Sequence, residues 1–463
     1  MKLFMLKVGF SVKIINVQRS VEDMKFTYEE LVKVTKAQVL HCQNTSGSLN
    51  ISTDSRNINI NDVYLPLKGE RFDGHDFIQN AVEKGVRGYF TSDKSLIFPD
   101  AKFILYVENT LIAYLQIALY CRKVKNPVTI AITGSSGKTT TKEMMAAVLS
   151  ESYNVHKSLL NHNNEIGLCQ TILSMPEETD VLILEMGMRG EGEIELLSKY
   201  SEPDIAVIAN TGTAHIGRLG TVRKIAKAKC EISKYLHEEG VLFAHDTELI
   251  RSVNKYKGDT VYVGLNSPYL KDVKLNADSS EFVYKNQKYR LNVEGIHNIQ
   301  NSLFVINTAI KLGIPSSKIA RGLKKYKPIE KRWEISDVGG FKVINDSYNS
   351  NPESLRAAIT TFLNTQKVPR VLVLGDMGEL GKKERIYHKE IGEFLNQFED
   401  VELITVGKQA KYIAKLSKHP SKSFANNKDA AEYIKNNVKK GSTLLFKASR
   451  FMKFEEIITE LSK

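Results

Sequence analysis

Short apolar runs alternate with longer stretches of mixed polar and apolar residues through the middle of the chain. The runs read VTIAIT, VLILEMG, IAVIANTG, GVLFA and TVYVG, and helix-compatible stretches separate them. Runs that are apolar throughout are typical of strands buried on both faces. The pattern therefore predicts a parallel sheet that helices cover on both sides.

Two flanking regions show related patterns. Residues 50–90 contain a polar turn, an apolar run at 63–67 and a helical stretch ending near Gly85, which predicts a small α/β unit. Residues 273–293 alternate as antiparallel hairpins do, and a helix is predicted at 297–312. Beyond Pro328, the runs FKVIND, RVLVLGDMG, ELITVG and TLLFKAS predict a further α/β domain, of Rossmann type.

The length of the chain requires more than one core. With 463 residues it exceeds what a single hydrophobic core usually supports. We therefore expect an α/β protein of three domains: a small N-terminal α/β domain at 24–106, a central parallel-sheet domain at 107–327 and a Rossmann-like domain at 328–463. Residues 1–23 have no partner in the pattern, and we treat them as an N-terminal extension.

Composition narrows the class of protein. Hydrophobic residues make up 42% and charged residues 25%, as in ordinary globular proteins. No apolar run is long enough to cross a bilayer, and the first residues lack the apolar centre of a signal peptide, so we expect a cytoplasmic protein without a membrane partner. Cys42, Cys121, Cys169 and Cys230 form no CxxC pair, which argues against a zinc site and a disulfide framework.

The formal net charge of +12 is distributed rather than concentrated. Lysines occur over the whole length, the densest group lies at 324–332, and no basic stretch is interleaved with aromatic residues. A solvated lysine-rich surface explains the charge, and we expect no nucleic-acid partner.

The segment VTIAITGSSGKTTTKEM, at 128–144, carries the clearest chemical signal. It predicts a strand, a glycine turn and a helix whose first amides form an anion site with the Lys138 ammonium, while the Thr139 hydroxyl can bind nucleotide-associated magnesium. Ile132 stands where the full phosphate-loop pattern has glycine, so an ordinary turn with a surface lysine is the alternative. The predicted phosphate-binding residues are Gly134, Ser135, Ser136, Gly137, Lys138, Thr139 and Thr140.

Three residues are candidates for metal binding. Glu185 ends a buried strand, where a carboxylate is costly unless it meets a cation, so it is the first candidate for a magnesium ligand. His215 lies just past the next strand, although a lone histidine is more often an ordinary loop residue. Lys229 lies in the predicted helix IAKAKCEI, where a surface lysine is the simpler interpretation.

Polar clusters elsewhere could bind a sugar, a peptide or a nucleotide. The amides of Asn161, Asn163 and Asn164 could hydrogen-bond a substrate, although asparagine clusters also build loops. DSR at 54–56 and DGHDF at 73–77 are unusual for connectors, and turns capped by aspartate are the alternative.

A further polar segment, NDSYNSNPES at 345–354, follows a predicted strand and precedes a helix. Its proline near the helix start is structural. Asp346, Tyr348 and Asn349 could reach ribose, base or phosphate, and Arg332 in the preceding linker could add positive charge against the phosphates.

Taken in order, nine segments resemble the motifs of the Mur ligase family: ITGSSGKTTTKEM, NHNNEIG, LEMGMRGEGEI, NTGTAHIGRLG, AKAKCEI, GIHNIQN, NDSYNSNPES, LGDMGELG and KASR. The resemblance covers the chain from Met24 to the C-terminus, and the short phosphate loop is the family's own form. The chain departs from the family at Asn345, at Ser350 and in KASR, where the family usually has aspartate, alanine and KGSR.

The resemblance implies use of ATP and Mg²⁺. Lys138 and Thr139 would hold the ATP phosphates and magnesium, with Glu185 and His215 as further metal ligands. Lys229 matches a lysine that the family carbamylates, which turns a cation into an anion able to bind magnesium.

The resemblance also assigns the remaining contacts. Asn298, Arg332 and Asp346 would contact adenine, phosphate and ribose. The first domain would hold the uridine nucleotide end of the substrate through Asp54, Ser55, Arg56, Asp73, Gly74 and His75.

The reaction implied is ATP-dependent ligation of D-alanyl-D-alanine to a UDP-N-acetylmuramoyl tripeptide through an acyl phosphate. Because the predicted sites lie on three domains, we also predict that the third domain swings in about a hinge near Pro328 and excludes water. We expect a monomer. Alternatives stay open: a sister ligase that adds a single amino acid, a phosphotransferase acting on a hydroxyl, or a non-catalytic nucleotide-binding module. Whether the third tripeptide residue is lysine or diaminopimelate is open as well.

Overall fold

The computed structural model describes residues 25–43, 45–69, 72–159, 161–328 and 331–463. Within these residues, four β-sheets form three successive α/β regions. The extension predicted at 1–23 lies outside the described residues. None of the described helices is both long enough and apolar enough to span a bilayer.

The first region is a five-stranded sheet of order β1-β5-β4-β3-β2, in which β1 and β5 pair antiparallel and the other pairs are parallel. The strand predicted at 63–67 is shorter, because Pro66 has no N–H to continue the ladder. The elements are α1 (Tyr28–Thr35), β1 (Gln38–Cys42), β2 (Asn50–Ser52), β3 (Asp62–Tyr64), α2 (Ile78–Glu83), β4 (Gly88–Thr91), β5 (Phe103–Tyr106) and α3 (Thr110–Lys125).

The central region contains the predicted parallel sheet and the predicted antiparallel hairpins. Six parallel strands have the order β11-β10-β9-β6-β8-β7, and β12-β13-β14 form a separate antiparallel sheet. The elements are β6 (Val128–Thr133), α4 (Lys138–Leu149), β7 (Val155–Lys157), α5 (Glu165–Leu173), β8 (Val181–Glu185), α6 (Glu193–Lys199), β9 (Ile205–Ile208), α7 (Ile216–Leu219), α8 (Val222–Cys230), β10 (Val241–His245), α9 (Glu248–Val253), β11 (Asp259–Val263), β12 (Leu270–Leu275), β13 (Ser280–Tyr284), β14 (Gln287–Leu291), α10 (Ile296–Lys311) and α11 (Ser316–Lys325).

Helices cover this sheet on both faces, as its apolar strands predict. Successive side chains of a strand point to opposite faces, so neighbours in β6 enter different cores. Ile130 and Ile132 pack with α4, α10 and α11, whereas Ala131 packs with α3 and α5. The buried position of β6 fixes the turn that follows it between two rigid layers.

The third region is Rossmann-like, with strand order β15-β16-β20-β17-β18-β19. Only β15 is antiparallel to its neighbour among the described pairs of this sheet. The elements are β15 (Glu334–Val338), β16 (Phe341–Asn345), α12 (Pro352–Thr365), β17 (Arg370–Gly375), α13 (Glu384–Leu395), β18 (Glu402–Val406), α14 (Lys411–Leu416), β19 (Ser421–Phe424), α15 (Asn427–Asn437), β20 (Thr443–Lys447) and α16 (Glu455–Leu461). The domain boundaries at 106/107 and 327/328 stay a prediction.

The strand order of the central sheet determines where a ligand site is expected. Strand β6 lies between β8 and β9, so the connections that leave these strands diverge at its carboxyl end. Open parallel sheets bind ligands in the crevice at such a switch point. Residues that follow β6, β8 and β9 therefore meet there, although they are far apart in sequence.

Candidate active site

The phosphate-loop turn has the predicted geometry. Strand β6 ends at Thr133 and α4 begins at Lys138. Gly137 is the N-cap residue, with φ of +76°, and a Cβ on it would lie 2.6 Å from Asn301 Oδ1. Backbone conformation and close packing both require glycine, because L side chains rarely adopt this φ.

Lys138 lies folded back over the loop. Its Nζ donates a hydrogen bond to Gly134 O at 2.9 Å, and the side chain is only partly exposed. Loss of water contact lowers the pKa of the Lys138 ammonium, and the negative charge of Glu185 opposes that shift. Lys138 Nζ therefore lies beside the loop, where an incoming anion can replace its carbonyl partner.

Glu185 is a buried carboxylate with several donors around it. Thr139 Oγ1 donates to Oε2 at 2.9 Å, and Asn163 Nδ2 donates to Oε1 at 3.1 Å. Burial raises the pKa of Glu185, but Lys138 and the ammonium of Lys142, 3.5 Å from Oε2, bring the pKa below its usual value. The carboxylate is therefore charged, as a metal ligand must be.

Asn210 holds the loop in place, a function that we did not predict. Its Oδ1 accepts from the backbone N–H groups of Ser135 and Ser136, each at 2.9 Å. Its Nδ2 donates to Ser136 Oγ at 2.7 Å. The signal that could have identified Asn210 is its position just past β9, the same criterion that selected His215.

His215 lies at the junction of two regions. Its backbone has φ of +67°, and its Nδ1 lies 2.7 Å from Glu379 Oε2 in the third region. Two residues earlier, Thr213 donates through its backbone N–H and its Oγ1 to the carboxylate of Glu353, at 3.0 and 2.9 Å. The loop after β9 therefore contacts the C-terminal domain at two carboxylates.

One cavity of about 830 Å³ joins these groups. Lys138, Glu185 and His215 all line it, and the C-terminal domain supplies part of its wall. The other predicted residues that line it are Ser135, Ser136, Gly137, Thr139, Thr140, Asn161, Asn163, Asn164, Asn298, Arg332, Asp346, Tyr348 and Asn349.

Some predicted residues already have structural partners within the cavity wall. Asn164 is the N-cap of α5, with its Oδ1 accepting from Gly167 N at 2.9 Å, which is the loop-building alternative. Asn298 Nδ2 donates to Glu294 O at 2.7 Å. These bonds orient the two asparagines without excluding contact with a ligand.

The wall from the C-terminal domain is rich in charge. The Arg332 guanidinium lies 4.1 Å from the centre of the Tyr348 ring, a cation–π contact. Asp346 Oδ2 lies 2.6 Å from Lys447 Nζ, and Lys447 is almost fully buried. Lys447 was not predicted, although it ends strand β20 within the quoted segment KASR.

Lys229 and Gly134 do not line the cavity. Lys229 is 1% exposed, so the surface-lysine alternative is wrong. Burial, reinforced by the positive charge of Lys138, lowers the pKa of the Lys229 ammonium well below its usual value. A buried amine of this kind is neutral far more often than a surface lysine.

The residues predicted to bind the uridine nucleotide lie in the first region, away from the cavity lining. Arg56 makes two hydrogen bonds of 2.9 Å to the Asp54 carboxylate, and Ser55 lies between them in sequence. Asp73 accepts from the backbone N–H of His75 at 3.0 Å. Gly74 permits close packing, since a Cβ there would lie 2.7 Å from Leu67 N. These contacts shape two loops.

Two of the residues missed from sequence share a cause. Glu353 and Glu379 act across the boundary between two regions, and no spacing within one motif indicates such a partner. Asn301 follows Asn298 by one helical turn on the same face of α10, so periodicity could have identified it.

The donor set fits magnesium. A hydroxyl and a carboxylate, Thr139 and Glu185, supply hard oxygen atoms side by side at the cavity. No group of three or more His, Cys, Asp or Glu among the described residues could hold a metal on its own. Mg²⁺ in nucleotide sites usually takes one or two carboxylates plus phosphate oxygens, and this set is of that kind.

A phosphate loop at the switch point of a parallel sheet, facing a cavity that a second α/β domain helps to wall, defines a nucleotide-binding protein of the phosphate-loop class. Three family models match successive parts of the chain: Mur ligase family, catalytic domain, at 49–125; Mur ligase middle domain, at 132–309; and Mur ligase, glutamate ligase domain, at 331–450. The chain belongs to the Mur ligase family.

Individual relatives agree with this assignment. The chain is 38% identical to a UDP-N-acetylmuramoyl-tripeptide–D-alanyl-D-alanine ligase of Bacillus subtilis, over 93% of this chain and 96% of that protein. Its structure is similar to MurF of Acinetobacter baumannii, with a TM-score of 0.88, 29% identity and coverage of 96% and 99%. A MurF ligase of Thermotoga maritima in complex with ADP gives a TM-score of 0.81 at 27% identity, covering 89% and 96%.

Proposed function

We propose that this chain is an ATP-dependent ligase that joins D-alanyl-D-alanine to the terminal carboxylate of a UDP-N-acetylmuramoyl tripeptide, in the synthesis of peptidoglycan precursors. The observation that carries the proposal is the single cavity shared by Lys138, Glu185 and His215 and walled in part by the C-terminal domain. The relative from Bacillus subtilis, 38% identical, supports the choice of substrates.

The first step brings two anions together. The tripeptide carboxylate attacks the γ-phosphate of ATP, a P–O bond forms, and ADP leaves, so the product is an acyl phosphate. Lys138 offsets the repulsion by exchanging its bond to Gly134 O for one to a phosphate oxygen. The free amides at the start of α4 add to the positive potential.

The second step forms the amide. The neutral amine of D-alanyl-D-alanine attacks the acyl carbon and forms a C–N bond. The nitrogen then loses one proton, the C–O bond to phosphate breaks, and inorganic phosphate leaves with its electron pair. Acyl phosphates react with water, so the C-terminal domain must cover the cavity during this step. Contacts of Glu353 with Thr213 and of Asn351 Nδ2 with Ser135 O, at 3.3 Å, support such docking.

Magnesium would supply charge neutralisation of the phosphates when bound. Thr139, Glu185 and His215 would hold it, and carbamylated Lys229 would add a further oxygen ligand. The low pKa of the buried Lys229 supports this, because only a neutral amine adds carbon dioxide. A ¹³C carbamate signal from ¹³C-bicarbonate should be present in the wild type and lost in Lys229→Ala; its absence from the wild type would reject the modification.

The remaining site residues follow from the cavity wall. Asn298, Arg332 and Asp346 are proposed to contact the adenine, phosphate and ribose of ATP, since all three line the cavity. Residues 54–56 and 73–75 are proposed to hold the uridine end of the substrate in the first region. ATP and the UDP-linked tripeptide are both nucleotides of the cell interior, so the proposed reaction would take place in the cytoplasm. The enzyme is proposed to act as a monomer.

Release of ADP tests the proposed function. The enzyme is incubated with ATP and each UDP-muramoyl tripeptide, containing lysine or diaminopimelate, with and without D-alanyl-D-alanine. We expect sustained ADP release only in the presence of the dipeptide, with one of the two tripeptides preferred. Equal release with a single amino acid would indicate the sister ligase, and release with a hydroxyl acceptor would indicate a phosphotransferase.

A further inference from the structure

The contact between His215 and Glu379 joins two domains at the metal-binding side of the cavity. His215 follows β9 of the central region, and Glu379 follows β17 of the C-terminal region. The distance from Nδ1 to Oε2 is 2.7 Å, which is the length of a charge-assisted hydrogen bond.

Backbone contacts fix this pair as well. Gly217 N donates to Glu379 O at 3.0 Å, and a Cβ on Gly217 would lie 2.6 Å from Gly381 N. His215 and Glu379 both have positive φ, +67° and +63°. The backbones of the two loops therefore lie close together. Residues other than glycine rarely adopt a positive φ unless contacts in the folded protein support it.

The bond also selects which ring nitrogen is available. With Nδ1 directed to the carboxylate, Nε2 of His215 makes no hydrogen bond or ion pair with the described residues. Histidines that bind metals usually donate their other ring N–H to a carboxylate or carbonyl, which fixes the ring orientation. The Glu379 side chain is 58% exposed, so the ion pair itself adds little stability.

We propose that Glu379 is a positioning residue: by holding Nδ1 of His215 it leaves Nε2 for the divalent cation, so that docking of the C-terminal domain completes the metal site. This rests on the proposed function, in which His215 is a metal ligand. Ordering of the cation and closure of the domain are then one event, because the same carboxylate serves both.

The chain offers a matched control. Glu353 also reaches from the C-terminal domain to the loop after β9, but it contacts Thr213 rather than the imidazole. Loss of either carboxylate weakens docking, whereas only loss of Glu379 releases the ring of His215. Comparison of Glu379→Ala with Glu353→Ala therefore separates positioning of the ligand from docking in general.

The test is Mn²⁺ binding in place of Mg²⁺, followed by electron paramagnetic resonance of the full-length enzyme with a non-hydrolysable ATP analogue. We expect Glu379→Ala to weaken Mn²⁺ binding about 10- to 100-fold, and Glu353→Ala by less than about threefold. Glu379→Gln keeps an acceptor for Nδ1 and should recover most of the affinity. Equal losses in both alanine variants, or no loss in Glu379→Ala, would overturn the proposal.

A second measurement does not depend on metal or activity. In enzyme with ¹⁵N-labelled histidine, the His215 ring should show protonated Nδ1 and unprotonated Nε2 in the wild type and in Glu379→Gln. A mixture of tautomers is expected in Glu379→Ala. An unchanged spectrum in Glu379→Ala would contradict the proposal even if that variant folds poorly by other criteria.

The two proposals fail in different ways. If the wild type binds Mn²⁺ and the nucleotide but forms no amide with D-alanyl-D-alanine, the proposed function is wrong and the role of Glu379 stands. If the wild type ligates normally and Glu379→Ala binds Mn²⁺ as the wild type does, only the role of Glu379 is wrong.

Discussion

Lys138 and Glu185 place two opposite charges in the wall of this cavity. Each is largely removed from water, and burial on its own would favour the neutral form of both. Their opposite charges, supported by Lys142, keep Glu185 ionised. The cavity thus holds separated charges that are ready for an anionic substrate and its counter-ion, without reorganising solvent at the moment of reaction.

Removal of the Lys138 ammonium tests this balance. Lys138→Ala should lower kcat about 10²- to 10³-fold, which corresponds to roughly 3–4 kcal/mol of transition-state stabilisation. Lys227→Ala, at an exposed position in the same protein, should leave kcat unchanged. The measurement is steady-state ADP release with both substrates, and a Lys138→Ala enzyme with most of its activity would show the assignment to be wrong.

The buried imidazole of His297 should make the stability of the protein depend on pH. Burial lowers its pKa to about 4, and its Nδ1 has no hydrogen-bond partner among the described residues. In the unfolded chain the His297 imidazole has a pKa near 6.5, so it is protonated between about pH 6.5 and pH 4, whereas in the folded protein it stays neutral over that range. Stability therefore falls as pH drops from 6.5 to 4, by up to about 3 kcal/mol for this group.

Urea unfolding of wild type and His297→Asn at pH 4.5 and pH 7 measures this contribution. The wild type should lose more stability on acidification than the variant, because only the wild type has this histidine to protonate on unfolding. Comparing the two removes the contribution of other titrating groups. Parallel losses in both proteins would mean that His297 is not the group responsible.

Sequence could identify residues whose signal lies within one motif. Glu185 ends an apolar strand, and Lys138 and His215 lie in the segments that follow two others. The geometry of a parallel sheet brings such strand ends together. Glu379 and Glu353 could not be identified in this way, because their partners lie in another domain. The burial of Lys229 depends on packing of α8 that the motif AKAKCEI does not reveal.

At the scale of elements, the site consists of loops that follow neighbouring strands of the central sheet and are joined by side-chain hydrogen bonds. Asn210 after β9 binds two amides of the loop after β6, and Asn163 before α5 binds Glu185 at the end of β8. The strands and helices that carry them follow from apolar periodicity. Cross-loop hydrogen bonds depend on side-chain rotamers in the folded protein, which the pattern of residues does not specify.

Substitution of Gly217 by alanine tests the contact between the loop after β9 and the loop after β17. Gly217→Ala places a Cβ 2.6 Å from Gly381 N, so the two loops must separate. We expect ligation to fall at least about tenfold. In X-ray scattering with ATP and the tripeptide, we also expect a larger radius of gyration than for the wild type. Gly190→Ala, whose Cβ would meet only Glu193 Oε1 at 3.5 Å, is the control, and identical scattering curves for the two variants would contradict the account.

At the scale of the whole molecule, each of the three α/β regions has a different role in the account. The first is proposed to hold the uridine end of the substrate, the central one holds the phosphate loop, and the third supplies part of the cavity wall. The three regions were predictable, because each has its own run of strands. Each also has a core cluster of its own, although a further cluster extends through all three regions. Their relative placement was not, since it rests on contacts such as that of Gln366 with Ala277 O rather than on any repeated pattern.

The hinge near Pro328 stays a prediction. Pro328 lines the cavity at the end of the central region, and residues 329 and 330 lie outside the described part of the chain. Closure about this point would bring Arg332 and Asp346 toward the phosphate loop together. Such motion is the common way for enzymes to exclude water from a reactive intermediate.

Transfer of oxygen from the substrate to phosphate tests the central claim most directly. The tripeptide is labelled with ¹⁸O in its terminal carboxylate, and phosphate released during ligation is analysed by mass spectrometry. If the carboxylate attacks ATP in the cavity of Lys138 and Glu185, each phosphate carries one labelled oxygen. Amide formation with unlabelled phosphate would contradict the account.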